Sequence, residues 1–140
     1  MIVLDTNVIS ELTRQESDEH VVAWTERQAP SELWITSTTV SEIRLGMELM
    51  PRGRRRQTIE DVNHRVLASF EDDTLSFETR AAEAYSRIVS ERARVGKPIS
   101  RDDAQIAASC VAAGATLATR NTRDFEGIEG LQLINPFDPS

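Results

Sequence analysis

Met1–Leu12 reads MIVLDTNVISEL: three apolar residues, Ile2, Val3 and Leu4, run straight into Asp5, and a turn then leads into a short helical stretch. A brief apolar run bounded by turn residues reads as a buried strand. A carboxylate at the end of such a strand is out of place in a core. It is in place at a site, because ligands of parallel α/β sheets gather beyond the carboxyl ends of the strands.

The same alternation continues downstream. Residues 20–28 read as a helix ending before Pro30, ELWITS as a second strand, and residues 38–50 as a helix stopped by Pro51. Residues 54–70 show helical spacing through Ile59, Val62, Val66, Leu67 and Phe70, and DTLSF is a short strand candidate. Residues 78–94 form a long helix with Ala81, Ala82, Tyr85, Ile88 and Val89 on its apolar side, and Gly96 suits its stop. Ser100 prepares a helix over 101–113 that ends at Gly114, and ATLAT and LQLIN are the remaining strands. Strands alternating with helices predict an α/β fold with a mostly parallel sheet covered on both faces. A chain of 140 residues suggests a single domain over 1–140.

Composition narrows the class. Cys110 is the single cysteine, so no intramolecular disulfide can form, which fits a reducing compartment. There is no basic segment followed by an apolar stretch, and no run nears the ~18 apolar residues of a membrane span. The expectation is a cytoplasmic protein with no membrane association. The charges, 16 Lys+Arg against 23 Asp+Glu for a net of -7, argue on average against nucleic acid. The basic residues are uneven, however: PRGRRR gathers Arg52, Arg54, Arg55 and Arg56. Such a run is either a solvated helix end or a local phosphate-binding patch on an acidic protein.

Ile99–Gly114, ISRDDAQIAASCVAAG, carries the most information. Ser100 is an N-cap candidate that leaves Asp102 and Asp103 in the first helical turn. At roughly 100° per residue, Ile106, Ala107, Cys110, Val111 and Gly114 define the buried face. Asp103 falls near the middle of that face and needs a partner there. Asp102 falls at its edge and reads as a dipole or surface residue. Glu42, in STTVSEIRLGMELM, lies off the Val40, Ile43, Met47 and Met50 stripe, so an exposed helix glutamate is the competing reading. Asn121 and Asp124, in LATRNTRDF, are ordinary turn residues taken singly. They follow a strand, at the end where α/β sites form.

If Asp5, Glu42 and Asp103 converge, with Asn121 or Asp124 near them, the carboxylates repel one another and some are forced to take up protons. A divalent cation removes that conflict. Oxygen ligands without Cys or His point to Mg²⁺, or Mn²⁺, rather than zinc. Mg²⁺ keeps coordination room for waters and phosphate, which suits phosphoryl chemistry with a metal-activated water. His20 and His64 read as solvated and Cys110 as a small core residue.

The segments MIVLDTNVISEL, TTVSEIRLGM, DDAQIAA, LATRNTRDF and INPF together resemble, in order and over nearly the whole chain, the PIN-domain ribonucleases, and among them the VapC/FitB-type toxins of type II toxin–antitoxin systems. The resemblance implies a three-layer α/β/α PIN-like domain around a central parallel sheet. It implies Asp5, Glu42 and Asp103 as the family's acidic positions, with Asp5 and Asp103 as principal metal ligands. Glu42 would be a ligand, direct or through water, or would orient the attacking water. The family's fourth acidic position falls on Asn121, which departs from an all-acidic quartet and leaves one charge fewer for a second metal. Asp124 and Thr6 are candidates for site support. The implied activity is Mg²⁺-dependent endoribonuclease cleavage, with Mn²⁺ as a substitute and Arg52, Arg54, Arg55 and Arg56 on the RNA backbone. The implied partners are a VapB-like antitoxin that wraps the toxin and sends an arginine into the acidic cleft, and a second copy in a homodimer. A higher assembly with the antitoxin is the extension of that arrangement.

Two rivals differ in class. One is a PIN-like RNA- or protein-binding module without catalysis, which Asn121 allows and the three carboxylates oppose. The other is a haloacid-dehalogenase-type phosphatase, whose opening LDTN also resembles. That family carries a second Asp two residues after its nucleophile, where Asn7 stands here, and Lys97 is the only lysine.

Overall fold

The computed structural model describes residues 1–139. Its chain runs β1 (Ile2–Leu4), α1 (Thr6–Leu12), α2 (Glu19–Glu26), β2 (Leu33–Thr36), α3 (Ser37–Glu48), α4 (Arg54–Ser69), β3 (Thr74–Leu75), α5 (Thr79–Arg94), α6 (Arg101–Ala113), β4 (Thr116–Ala118) and β5 (Gln132–Ile134). The strands form one five-stranded sheet in the order β3-β2-β1-β4-β5. Every pairing is parallel: Ile2 lies opposite Leu33 on one side and Thr116 on the other. From β1 the chain winds outward to β2 and β3. It then crosses back to lay β4 and β5 on β1's other edge. The order therefore reverses between β1 and β4, and the crevice at their carboxyl ends is where such sheets bind ligands.

Alternating side chains divide the core into two. Val3 and Leu117 face a cluster with Ala84 and Ile88 of α5 and Ile106, Ala107 and Cys110 of α6. Leu4 and Ala118 face the opposite cluster, with Val8 and Ile9 of α1, Val21 and Trp24 of α2, Ile43 and Met47 of α3 and Leu67 of α4. This is the three-layer α/β/α arrangement with a parallel sheet that the sequence predicts. The buried face of α5 is Ala81, Ala84, Ile88 and Arg92, shifted from the predicted one, with Tyr85 and Val89 only half-buried. Arg92 can be buried because its Nε donates to the Lys97 carbonyl at 2.8 Å. Among the described residues no helix is long and apolar enough to cross a membrane.

Short connections aim the site. Helix α1 starts directly after Asp5, whose side chain accepts from the Thr6 N–H. Helix α3 starts directly after Thr36, which caps it by accepting from the Thr39 N–H. Helix α6 is capped by Ser100 and ends at Gly114, at φ 66°. The Ala115 N–H there returns to the Cys110 carbonyl at 2.9 Å, which turns the chain into β4. A Cβ at Gly114 would meet nothing within 4 Å, so its cost is backbone strain alone. Gly114→Ala is therefore expected to destabilise the fold by about 1 kcal/mol, read as a shift of the urea midpoint at unchanged slope.

Candidate active site

Asp5 ends β1 at the centre of the sheet and is 5% exposed. Its carboxylate is held by three donors. The Thr6 N–H reaches Oδ1 at 2.8 Å, and the Thr119 hydroxyl and the Asn7 amide reach Oδ2 at 2.7 and 3.3 Å. A carboxylate offers about four acceptor positions, so Oδ1 retains room for one more ligand. Burial lifts the Asp5 carboxyl above its ordinary range, and the Thr119, Thr6 and Asn7 hydrogen bonds oppose the rise.

Glu42 comes from α3, one layer away, and is half-buried. Its Oε1 accepts from the Thr6 hydroxyl at 2.6 Å. A hydroxyl carries one proton, so the Thr6–Thr39 contact at 3.0 Å must run with Thr39 donating. The Thr36–Thr39 contact at 3.4 Å then has Thr36 as donor. The result is a directed chain, Thr36 to Thr39 to Thr6 to Glu42, whose first two members are fully buried. Burial raises the Glu42 carboxyl, the Thr6 bond opposes it, and the Asp102 and Asp5 charges raise it further.

Asp103 stands in the first turn of α6, half-buried, its N–H donating to the Ser100 hydroxyl at 3.2 Å. Helices α3 and α6 are tied at this end by the Thr38 hydroxyl donating to Gln105 Oε1 at 3.0 Å. Burial raises the Asp103 carboxyl first, and the Asp5 charge second.

Asp5, Glu42, Asp103 and Asn121 line one cleft of about 450 Å³, together with Thr6, Asn7, Glu11, Arg14 and Arg120. Asn121 is exposed and its N–H donates to the Thr119 hydroxyl at 3.1 Å. Asp124, exposed in the turn Thr122–Phe125, is outside the lining but adds its charge to Asp5 and Asp103. Asp102 is exposed, as its edge position predicts, yet its charge bears on Glu42. Glu11 is buried and accepts from the Asp18 N–H at 2.8 Å and from Arg14 at 3.0 Å. The arginine run divides. Arg52, Arg54 and Arg55 are exposed, whereas Arg56 is tied to Glu60 at 2.5 Å, to Glu48 at 3.7 Å and to the Met50 carbonyl at 3.1 Å.

The donor set fits a hard cation: oxygen ligands, no thiolate or imidazole, and three carboxyls raised first by burial and further by the charge of neighbouring carboxylates. Among the described residues no three His, Cys, Asp or Glu side chains stand close enough to cage an ion by themselves. A cation held here would need waters or substrate oxygens on several of its positions, a demand Mg²⁺ can meet. A second, larger groove of about 1110 Å³ opens beside it, between α1, α3 and α4. Ile9, Ile43, Met47, Met50, Ile59 and Val62 give it an apolar lining, and it shares Thr6, Ser10, Arg14 and Glu42 with the cleft.

Thr119 and Asn7, the partners of Asp5, and the Thr36–Thr39 chain are the residues that sequence reasoning passes over. A threonine closing an otherwise apolar strand, and the TSTT run that starts α3, are the signals they leave.

The chain matches the family model described as PIN domain over residues 2–131. It is 40% identical to VapC ribonuclease Y4jK of Sinorhizobium fredii, over 100% of both chains. It is 35% identical to Toxin FitB of Neisseria gonorrhoeae, over 98% of this chain and 99% of the toxin. A solved structure of FitAB bound to an IR36 DNA fragment superposes with a TM-score of 0.91 at 34% identity, covering 100% of this chain and 98% of that one.

Proposed function

The chain belongs to the PIN domain family and is of the VapC/FitB ribonuclease-toxin type, and from that premise we propose that it is a Mg²⁺-dependent endoribonuclease, the toxin of a toxin–antitoxin pair. The observation that carries the chemistry is the convergence of Asp5, Glu42 and Asp103 on one cleft at the carboxyl ends of β1 and β4, each carboxyl held above its ordinary range.

Asp5 and Asp103 would hold the ion, with Glu42 joining through water. Bound there, the ion supplies charge neutralisation at the scissile phosphate and an acidified water. The chain's own residues set the geometry. Thr119, Asn7 and the Thr6 N–H fix the Asp5 carboxylate, so its free position on Oδ1 faces one direction. The threonine chain ends in a hydrogen bond from the Thr6 hydroxyl to Glu42 Oε1, which orients the carboxylate so that its other oxygen would accept a proton from an attacking water. Asn121 supplies a neutral amide at the cleft's rim, where a phosphate oxygen can accept from it without repulsion. Arg52, Arg54 and Arg55 remain exposed for the RNA backbone.

The larger groove suits the antitoxin. Its apolar lining takes one face of an extended or helical segment. Its continuity with the cleft lets a basic side chain of that segment reach the carboxylates and block them. Leu45 on α3 and Leu49, the residue that follows its end, are 58% and 75% exposed, and give the proposed homodimer an apolar contact.

Thr6→Val keeps the shape of residue 6 while leaving Glu42 without its donor and the buried Thr39 hydroxyl without its acceptor. The expected result is a loss of about 1–3 kcal/mol in urea denaturation and a roughly ten- to hundredfold fall in cleavage rate. The reading as a whole is tested by incubating antitoxin-free protein with bulk cellular RNA in Mg²⁺, Mn²⁺ and EDTA. Cleavage in either metal and none in EDTA supports it. Equal cleavage in EDTA removes the metal, and no cleavage in any buffer favours a binding module.

A further inference from the structure

We propose that Arg120, stacked over the Phe137 ring, takes a substrate phosphate at the edge of the acidic cleft, which makes the closing segment 134–137 part of the substrate-binding apparatus. The inference rests on the ribonuclease reading above and names the residue that holds the polyanion against a cleft that repels it.

Arg120 directly follows Thr119, the donor to Asp5 Oδ2, and it lines the same cleft as Asp5, Glu42 and Asp103. The other arginine in that lining, Arg14, is bonded to the buried Glu11. Among the described residues Arg120 has no ion-pair partner, and its guanidinium makes no hydrogen bond. A free guanidinium among carboxylates would be expected to fall onto one of them. The backbone and the ring prevent that. The Arg120 N–H donates to Asn7 Oδ1 at 3.2 Å, and its carbonyl accepts from Asn135 Nδ2 at 3.5 Å. The guanidinium carbon then lies 4.6 Å from the centroid of the Phe137 ring. Phe137 is itself fixed: its N–H donates to Asn135 Oδ1 at 2.9 Å, and the ring packs against the core cluster shared by α1, α2, α3 and α4.

Stacking uses the face of the guanidinium and leaves the edge donors open. Those edge N–H groups match a phosphate two at a time. Arg120 is thus a cation held in place without being neutralised, beside carboxylates that would otherwise push RNA away. Phe137 is a positioning residue that acts through Arg120.

The test compares wild type, Arg120→Ala, Arg120→Lys and Phe137→Leu. Cleavage kinetics use bulk cellular RNA with Mg²⁺, and binding of a mixed-sequence single-stranded RNA is followed across salt. Arg120→Ala is expected to raise KM roughly ten- to hundredfold with a smaller change in kcat. Its binding should lose about 0.7 from the slope of log affinity against log salt, the value of one phosphate contact. Arg120→Lys restores the slope and part of KM. Phe137→Leu keeps the slope and raises KM by about two- to fivefold. Wild-type KM and slope in Arg120→Ala overturn the inference while leaving the ribonuclease reading intact. So does a fall in kcat with the slope unchanged, which marks a merely structural role. An unchanged KM in Phe137→Leu overturns the part assigned to the ring. If wild type neither binds nor cleaves RNA with Mg²⁺ or with Mn²⁺, the ribonuclease reading fails and this inference falls with it.

Discussion

Asp103→Asn is expected to cut RNA cleavage by at least about a hundredfold while raising the melting temperature of the metal-free protein. The two effects have one cause. The Asp103 carboxyl is lifted above the ordinary value of 3.8 by burial, then by Asp5, and also by Asp124 and Asp102. The folded state therefore binds this proton more tightly than the unfolded chain does. Below the ordinary value both states are protonated and the site costs nothing. As pH rises through the raised folded value, stability falls, and at neutral pH the ionised group is a net burden. Asparagine removes that burden, so the gain should be full at neutral pH and vanish in acid. Mg²⁺ is expected to reverse the ranking, because binding at the proposed site would stabilise wild type and not the variant. Melting curves at neutral and acid pH, with EDTA and with Mg²⁺, check every part. A variant that melts below wild type in EDTA, or that cleaves at the wild-type rate, sinks the assignment.

Asp5→Ala is expected to lose activity to the same degree and to move stability the other way. Asp5 caps α1, and three donors converge on it. Removing the carboxylate leaves the fully buried Thr119 hydroxyl without its acceptor and the Asn7 amide with only the Thr119 oxygen at 3.3 Å. Loss of the cap and the stranded Thr119 donor together outweigh the relief of an unfavourable charge, for a net cost of about 2 kcal/mol. Asp5→Asn keeps an acceptor at the cap and should recover most of that stability but none of the cleavage. Urea denaturation beside the cleavage assay separates the pair. If the alanine variant proved more stable than wild type at neutral pH, the proposed network around Asp5 would be wrong.

Much of this arrangement is legible in the sequence because the carboxylates break local rules. Asp5 interrupts a buried strand, and Asp103 points from the apolar side of its helix, so each announces itself within a few residues. Glu42 does not. Its place off the α3 stripe reads equally well as solvent exposure, and only the Thr6 hydroxyl, brought from α1, reveals its environment. Thr119 is harder still: nothing local says that the end of β4 will lie beside the end of β1. Asp102 reads correctly as a residue of the helix's first turn, but its approach to Glu42 depends on how α3 and α6 meet. The arginine run reads as one patch, yet Arg56 is pulled out of it by Glu48 and by Glu60, four residues along the same helix. That last pairing was available from spacing alone. Asn7, where a phosphatase of the rival family carries its second Asp, instead gives its amide to Asp5 and its oxygen to the Arg120 N–H.

The strand order has a consequence for how such a molecule comes into being. β1 lies at the centre of the sheet, but its two neighbours arrive far apart in the chain, and the Thr119–Asp5 bond spans 114 residues. Contacts of that separation form late, after a large loop has been closed. During synthesis, Asp5 emerges long before Thr119 and Asp103 have left the ribosome. A nascent chain therefore carries its carboxylates as separate, solvated side chains, and the cleft assembles only when the domain is nearly complete. A nuclease built on this order has no assembled cleft until the end of β4 has joined the end of β1.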